Sequence, residues 1–253
     1  MTQIPSRAKL LISAVMLTAG TITVYAILNM HPWHHYQFLS LAVMALVASR
    51  LKLKLPGLDG NMSVNLPFVL LAAVQLSPSE ALAIAAISTL AQCLPKKGDK
   101  LQPVKVLFNV GTMALATGMS ALVFHYGSQA RTGWLPGSAL LVTAAVTFFI
   151  ATTVPVASII SLSEGPKMLK VWSTIFHLSF PYYVASAGIA SMVTTASRHV
   201  GWQIPLLALA VMYGIYRCYK LYFGRIVAMA CAAGVVASDG HAIESELSSA
   251  RTV

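Results

Sequence analysis

Three carboxamides, Asn65, Gln92 and Asn109, interrupt stretches that are otherwise apolar. Each primary amide offers two N–H donors and two lone pairs, enough to hold a small polar ligand and more than packing between helices ordinarily uses. Hydroxyls accompany them, among them Thr112, Thr117, Ser120, Thr152 and Ser186, together with small residues such as Gly111, Gly118 and Gly188. In apolar surroundings such residues join helices, because small side chains allow close approach and hydroxyls bridge the gap. The hydroxyls are read as interhelical contacts, and Asn65, Gln92 and Asn109 as ligand-binding candidates.

His31, His34 and His35 lie at helical spacing that could ligate a transition metal. The run His31-Pro32-Trp33-His34-His35-Tyr36 also reads as an interfacial belt, in which amphipathic rings sit at headgroup depth. The belt is the simpler reading, so no metal or cofactor is assigned. The carboxylates are Asp59, Glu80, Asp99, Glu164, Asp239, Glu244 and Glu246, all in loops, at the ends of apolar stretches or in the C-terminal tail. Ion-coupled transport usually needs an ionisable group inside the membrane, so a coupled pump is disfavoured. Nor is there a phosphate-cradling Gly loop, a Gly-x-Ser-x-Gly elbow or a His-Glu-x-x-His pair, and no enzymatic activity is expected.

The elements that must position these groups follow from composition. At 57% hydrophobic and 9% charged, against roughly 25% charged in an average soluble domain, the chain cannot cover itself with a polar surface. Eight apolar segments approach the length of about 20 residues that crosses a bilayer: Leu10–Met30, Tyr36–Ser49, Met62–Leu76, Ser79–Leu94, Val104–Tyr126, Ser138–Leu162, Ser173–Ala196 and Trp202–Phe223. Short cytoplasmic loops carry the excess of Lys and Arg. With eight crossings every basic residue except Arg131 and Arg198 falls on one side, which places both termini in the cytoplasm. The same charges permit six spans plus a re-entrant hairpin over Met62–Leu94, and Asn65 and Pro67 favour irregularity there. The prediction is an all-α integral membrane protein of the cell inner membrane, multi-pass, with a membrane domain over 1–225 and a short cytoplasmic tail over 226–253.

Arg50, Lys52 and Lys54 alternate with Leu51, Leu53 and Leu55. That period of two is a strand signal, but between two membrane segments we read it as a rim of snorkelling cations, with a strand less expected. Pro56-Gly57 and Asp59-Gly60 then supply a turn. The net charge of +10 is spread over the inner ends of several spans, which predicts attraction to anionic membrane lipids and no nucleic-acid binding. Leu10–Met30 is longer than a signal-peptide core of about 7–15 residues and reads as a retained span. Cys93, Cys218 and Cys231 are far apart and show no disulfide framework.

Three runs carry a family resemblance: Leu53 to Asn65 (LKLPGLDGNMSVN), Ser79-Glu80-Ala81-Leu82 with Ala91-Gln92-Cys93-Leu94, and Pro103 to Val110 (PVKVLFNV). They resemble the N-terminal membrane sensor region of bacterial signalling proteins, where it precedes a cyclic-di-GMP enzyme of the diguanylate cyclase or HD-type phosphohydrolase class. Tyr216 to Arg225 (YRCYKLYFGR) is similar to the exit helix leading to that enzyme. Ile226–Val253 is too short for a catalytic domain, so the resemblance implies a separate signalling enzyme as partner, or a truncated relative. A weaker similarity, through the short Ala-rich helices and Phe108-Asn109, is to the substrate-binding subunits of energy-coupling factor vitamin transporters, which would imply ATPase partners. The expectation is a non-enzymatic sensory or ligand-binding module that signals through its last helix, alone or as a homodimer. The alternative is a transporter subunit for a vitamin-like molecule.

Overall fold

The computed structural model describes residues 5–29, 35–54, 61–94, 102–129, 137–200, 208–222 and 224–225. Among them the architecture is helical: α1 (Ser6–Leu28), α2 (His35–Ser49), α3 (Leu66–Gln75), α4 (Pro78–Cys93), α5 (Pro103–Gln129), α6 (Gly137–Glu164), α7 (Met168–Val200) and α8 (208–222). Each apolar segment of the sequence contributes one helix, Met62–Leu76 only over Leu66–Gln75. By length and composition α1, α5 and α6 can each cross a membrane.

The outer surface shows why lipid is the solvent. On α1, Leu10 is 72% exposed, Leu17 71% and Leu28 79%, while Ala8, Val15, Ala19 and Ala26 face inward. A helix apolar on its outward face as well as its inward one belongs in hydrocarbon.

The stretch read as a snorkelling rim departs from that expectation. Lys52–Lys54 forms β1 and pairs antiparallel with β2, Asn61–Ser63, in the register Lys52 to Ser63, Leu53 to Met62 and Lys54 to Asn61. The alternation of Lys and Leu was a strand signal after all. Pairing the backbone satisfies N–H and C=O groups that an unpaired rim segment would leave to water.

The hairpin delivers the chain to α3, which is only 10 residues long, about 15 Å. Every residue from Leu66 to Val74 is buried, because α2, α4, α5 and α7 all pack on it. Ser77 closes the turn into α4 with a capping box: its hydroxyl and backbone N–H donate to the Glu80 carboxylate at 2.7 and 2.9 Å, and its hydroxyl accepts from the Glu80 N–H at 3.4 Å.

Cross-contacts fix relative heights. His125 Nε2 lies 3.1 Å from the Leu76 carbonyl, so the α3–α4 turn is level with a point on α5 about 30 Å beyond Lys105. At its other end α4 meets α5 where Asn109 donates to Cys93 Sγ at 3.6 Å. The stretch from Asn109 to His125 and the 16 residues of α4 both measure about 24 Å, so the two helices run antiparallel and match in length. α3 runs parallel to α7, with Leu66 beside Tyr182 and Gln75 donating to Thr194 at 3.3 Å.

Glycines set the α1–α5 distance. A Cβ on Gly111 would meet Met16 Sδ, the flexible end of a thioether, whereas on Gly118 it would collide with Ile22 Cγ2, held by a β-branched side chain. Between α6 and α7 Gly165 takes φ +86°, a value only glycine adopts freely, and the Ser161 hydroxyl closes the turn on the Pro166 carbonyl at 2.7 Å. We expect Gly118→Ala to lower stability by about 1–3 kcal/mol and Gly111→Ala to cost far less, as read from thermal unfolding of the two variants in the same lipid nanodisc.

Candidate functional site

The site begins where the β-hairpin stops and α3 starts. Val64 and Asn65 form a turn, and both are buried, Asn65 to 1% exposure. A buried break in regular backbone persists only if the surrounding protein supplies the missing hydrogen bonds. Here Val64 N–H donates to the Leu51 carbonyl at 3.3 Å, and the Asn65 carbonyl accepts from Phe68 and Val69 at 3.1 Å each. The Asn65 side chain does not cap α3. Its Nδ2 donates instead to Ser88 Oγ on α4 at 3.2 Å, and Ser88 in turn donates to the Ala85 carbonyl at 3.2 Å.

Tyr182 stands on the other side of the same break. It is among the largest fully buried side chains of the protein. Its hydroxyl hydrogen-bonds to the Leu66 backbone at the first turn of α3 and lies beside Ser186. Its ring meets Tyr219 of α8 edge-on at 6.3 Å and 84°, and Tyr183 at 6.1 Å and 82°. One side chain thus touches α3, its own helix and α8. Pro181 precedes it and removes the N–H that would bond the His177 carbonyl, so α7 lacks one rung beside Tyr182.

Tyr183 faces α6. Its hydroxyl pairs with Thr152 Oγ1 at 2.8 Å and its ring packs on Phe149 at 4.8 Å. Phe149 also meets Phe176 and Phe180, which stack on each other at 4.7 Å, and Trp172 Nε1 donates to Thr153 Oγ1 at 3.3 Å. This aromatic block fixes α7 against α6 and leaves the Tyr182 face turned toward α3 and α8.

The three candidate carboxamides all attach to the C-terminal half of α4. Asn65 binds Ser88, Gln92 lies one turn further along, half-buried, and the exposed Asn109 binds Cys93. Cys93 stands about 140° around the helix from Ser88 at 3.6 residues per turn, so Asn65 and Asn109 approach α4 on different faces. Most hydroxyls read as interhelical contacts, including Thr89, Thr143, Thr147 and Ser158, bond the carbonyl of their own preceding turn instead. Bridges between segments include Asn65 to Ser88, Gln75 to Thr194, Thr152 to Tyr183, Trp172 to Thr153, Tyr25 to Tyr126, and Ser120 to the Ala144 carbonyl at 2.9 Å. Thr112 and Thr117 are buried on α5, with no hydrogen-bond partner for their hydroxyls among the described residues.

His31 and His34 lie outside the described residues, and His35 is exposed at the start of α2. Among the described residues no group of three or more His, Cys, Asp or Glu side chains could hold a metal. His125, near the C-terminal end of α5, is half-buried against the Leu76 carbonyl. Sequence reasoning did not single out two residues as candidates. Glu80 is a fully buried carboxylate whose Ser-x-x-Glu signature was legible. Tyr182 had no comparable signal, since nothing local to Pro181-Tyr182-Tyr183 says that two other helices converge there.

Comparison with protein families matches the MASE9 family over residues 9–222. No curated protein and no solved structure matches the chain.

If the Asn65–Ser88 bond holds the break, a double-mutant cycle with Asn65→Ala and Ser88→Ala should give a coupling of about 0.6–1.7 kcal/mol, the range found for hydrogen bonds between helices in membranes. Additive losses in equilibrium unfolding would show that the two side chains act separately.

Proposed function

We propose that this chain, which belongs to the MASE9 family of membrane-associated sensor-type domains, is a multi-pass sensory module of the bacterial inner membrane that reports through α8. The family is not catalytic in itself, so the output is a change of geometry. The observation that carries the reading is Tyr182, whose hydroxyl bonds the start of α3 while its ring bears on Tyr219 of α8.

In this reading a small polar ligand or a lipid-phase cue acts where α3 begins, around Asn65, with Gln92 and Asn109 nearer the inner end of α4. Displacing the Leu66 backbone or the Asn65 amide shifts Tyr182, and Tyr182 shifts Tyr219. The missing rung at Pro181 gives α7 a place to yield, and two packings of similar energy let a modest differential affinity select between them. The unpartnered hydroxyls of Thr112 and Thr117 supply further polar capacity inside the bundle. A cytoplasmic signalling enzyme, of the cyclic-di-GMP class that the sequence resemblance implies, would read the result. Copurification of ATPase chains instead of such an enzyme would favour the transporter reading.

The reading rests on a topology in which α3 and α4 each cross the membrane. Its support is the level of their turn, which meets α5 about 30 Å beyond Lys105, the thickness of the hydrocarbon core. The hairpin, at about 10 Å for three residues of strand, completes the crossing that 15 Å of α3 leaves short. A thiol at Pro78→Cys, in a chain whose native cysteines are Ser, should react with a membrane-impermeant maleimide from the same face as one at Ser128→Cys. Protection of Pro78→Cys from both faces would show a re-entrant hairpin.

Transmission is tested with a spin label on Cys218, in full-length protein with Cys93 and Cys231 replaced by Ser. Tyr182→Phe and Asn65→Leu should each change the mobility of the label, while Thr143→Val, at a hydroxyl bonded only within α6, should not. Unchanged spectra in both folded variants would refute the coupling.

A further inference from the structure

The end of α8 presents a feature that signalling through Tyr182 does not use. Arg217, Lys220, Leu221, Gly224 and Arg225 recur at the spacing of one helical face and line an open hollow of about 390 Å³. A Cβ on Gly224 would meet nothing within 4 Å, so a larger side chain there would project into the open hollow. Three cations on one face repel one another. Among the described residues none has a carboxylate partner, and Lys220 has only the face of Tyr216, at 6.0 Å. Beside them Leu221 is 65% exposed and Tyr222 60%. Such a surface suits neither water alone nor hydrocarbon alone. It suits the boundary, where guanidinium and ammonium groups meet headgroup phosphates while apolar side chains lie along acyl chains.

We propose that this hollow is a binding site for the phosphate of an anionic phospholipid. The two arginines offer planar forks that match phosphate oxygens, Lys220 adds a point charge, and Leu221 with Tyr222 takes the upper acyl chain. The apolar pair argues for a lipid over a soluble phosphate, which would leave it uncovered. The site is independent of the coupling through Tyr182 and stands or falls on lipid binding alone.

The test uses the full chain in phosphatidylcholine nanodiscs titrated with phosphatidylglycerol, with bound lipid counted by native mass spectrometry. R217Q/K220Q should weaken retention roughly thirtyfold, two surface cations being removed, whereas K167Q/K170Q, equal in charge but at the start of α7, should not. Gly224→Leu should cause a similar loss by filling the hollow with every charge in place, and it decides the matter should R217Q/K220Q fail to fold. Equal losses in both charge variants would overturn the site in favour of diffuse attraction. Displacement of the lipid by equimolar inorganic pyrophosphate would overturn it in favour of a soluble anion. Tighter lipid binding after neutralising Asp239, Glu244 and Glu246 would show that the tail is the native occupant, and would overturn it too.

Discussion

A break in the backbone inside the protein must be supplied with hydrogen bonds by the residues around it, and the packing near α3 follows from that requirement. A buried N–H or C=O left without a partner costs about as much as a lost hydrogen bond, so the buried turn at Val64–Asn65 needs a second chain segment beside it. The β-hairpin is that segment, through the Leu51 carbonyl. The first turn of α3 needs a further partner, and Tyr182 supplies one. Burial on all sides keeps water and lipid out. That is why a 10-residue helix, far below the length at which helices are stable alone, sits at the centre with four others around it.

The same requirement accounts for the neutrality of the interior. Glu80 is the buried carboxylate of the described core, and it is held in a capping box at the turn between α3 and α4. Around Asn65 and Tyr182 the named polar groups are amide, hydroxyl and backbone. A buried charge would need a partner and its own solvation; a neutral amide needs only a hydroxyl. Neutral contacts between helices in membranes are individually modest, at about 0.6 kcal/mol on average. Rearranging two or three of them shifts an equilibrium by roughly tenfold, which suits a module that must move between states.

Much of this was legible in the sequence because membrane helices announce themselves by composition. Each apolar segment contributed one helix, although Met62–Leu76 begins as strand and the helix over Ser173–Ala196 runs longer, from Met168 to Val200. The hairpin was misread because its Lys and Leu residues fit two physical pictures equally well, a pleated strand and a snorkelling rim. Only pairing with Asn61–Ser63, which depends on where the chain returns, separates them. Asn65 could be singled out because a carboxamide is conspicuous among Leu, Val and Pro. Tyr182 could not, since aromatic residues fill α6 and α7 and its importance comes from contacts with Leu66 and Tyr219, more than 30 positions away on either side.

On the proposed sensory reading, the reason for a tyrosine at 182 follows from what the ring and the hydroxyl each do. A phenylalanine at 182 would pack against Tyr219 equally well but leave the α3 terminus a bond short, and a serine would reach neither partner. Tyrosine joins a polar contact to an apolar one through a rigid ring with two torsions, so little motion is lost to side-chain flexing. A shift at the hydroxyl end must appear as a tilt of the ring, and close packing transmits a tilt as displacement instead of absorbing it. In that proposal the edge-on contact with Tyr219 makes α8 the element that receives it. α8 is buried in the core at Ala208 and Met212 and exposed at Tyr213, Leu221 and Tyr222, so a shift at Tyr219 acts on its exposed C-terminal half while the N-terminal half stays packed.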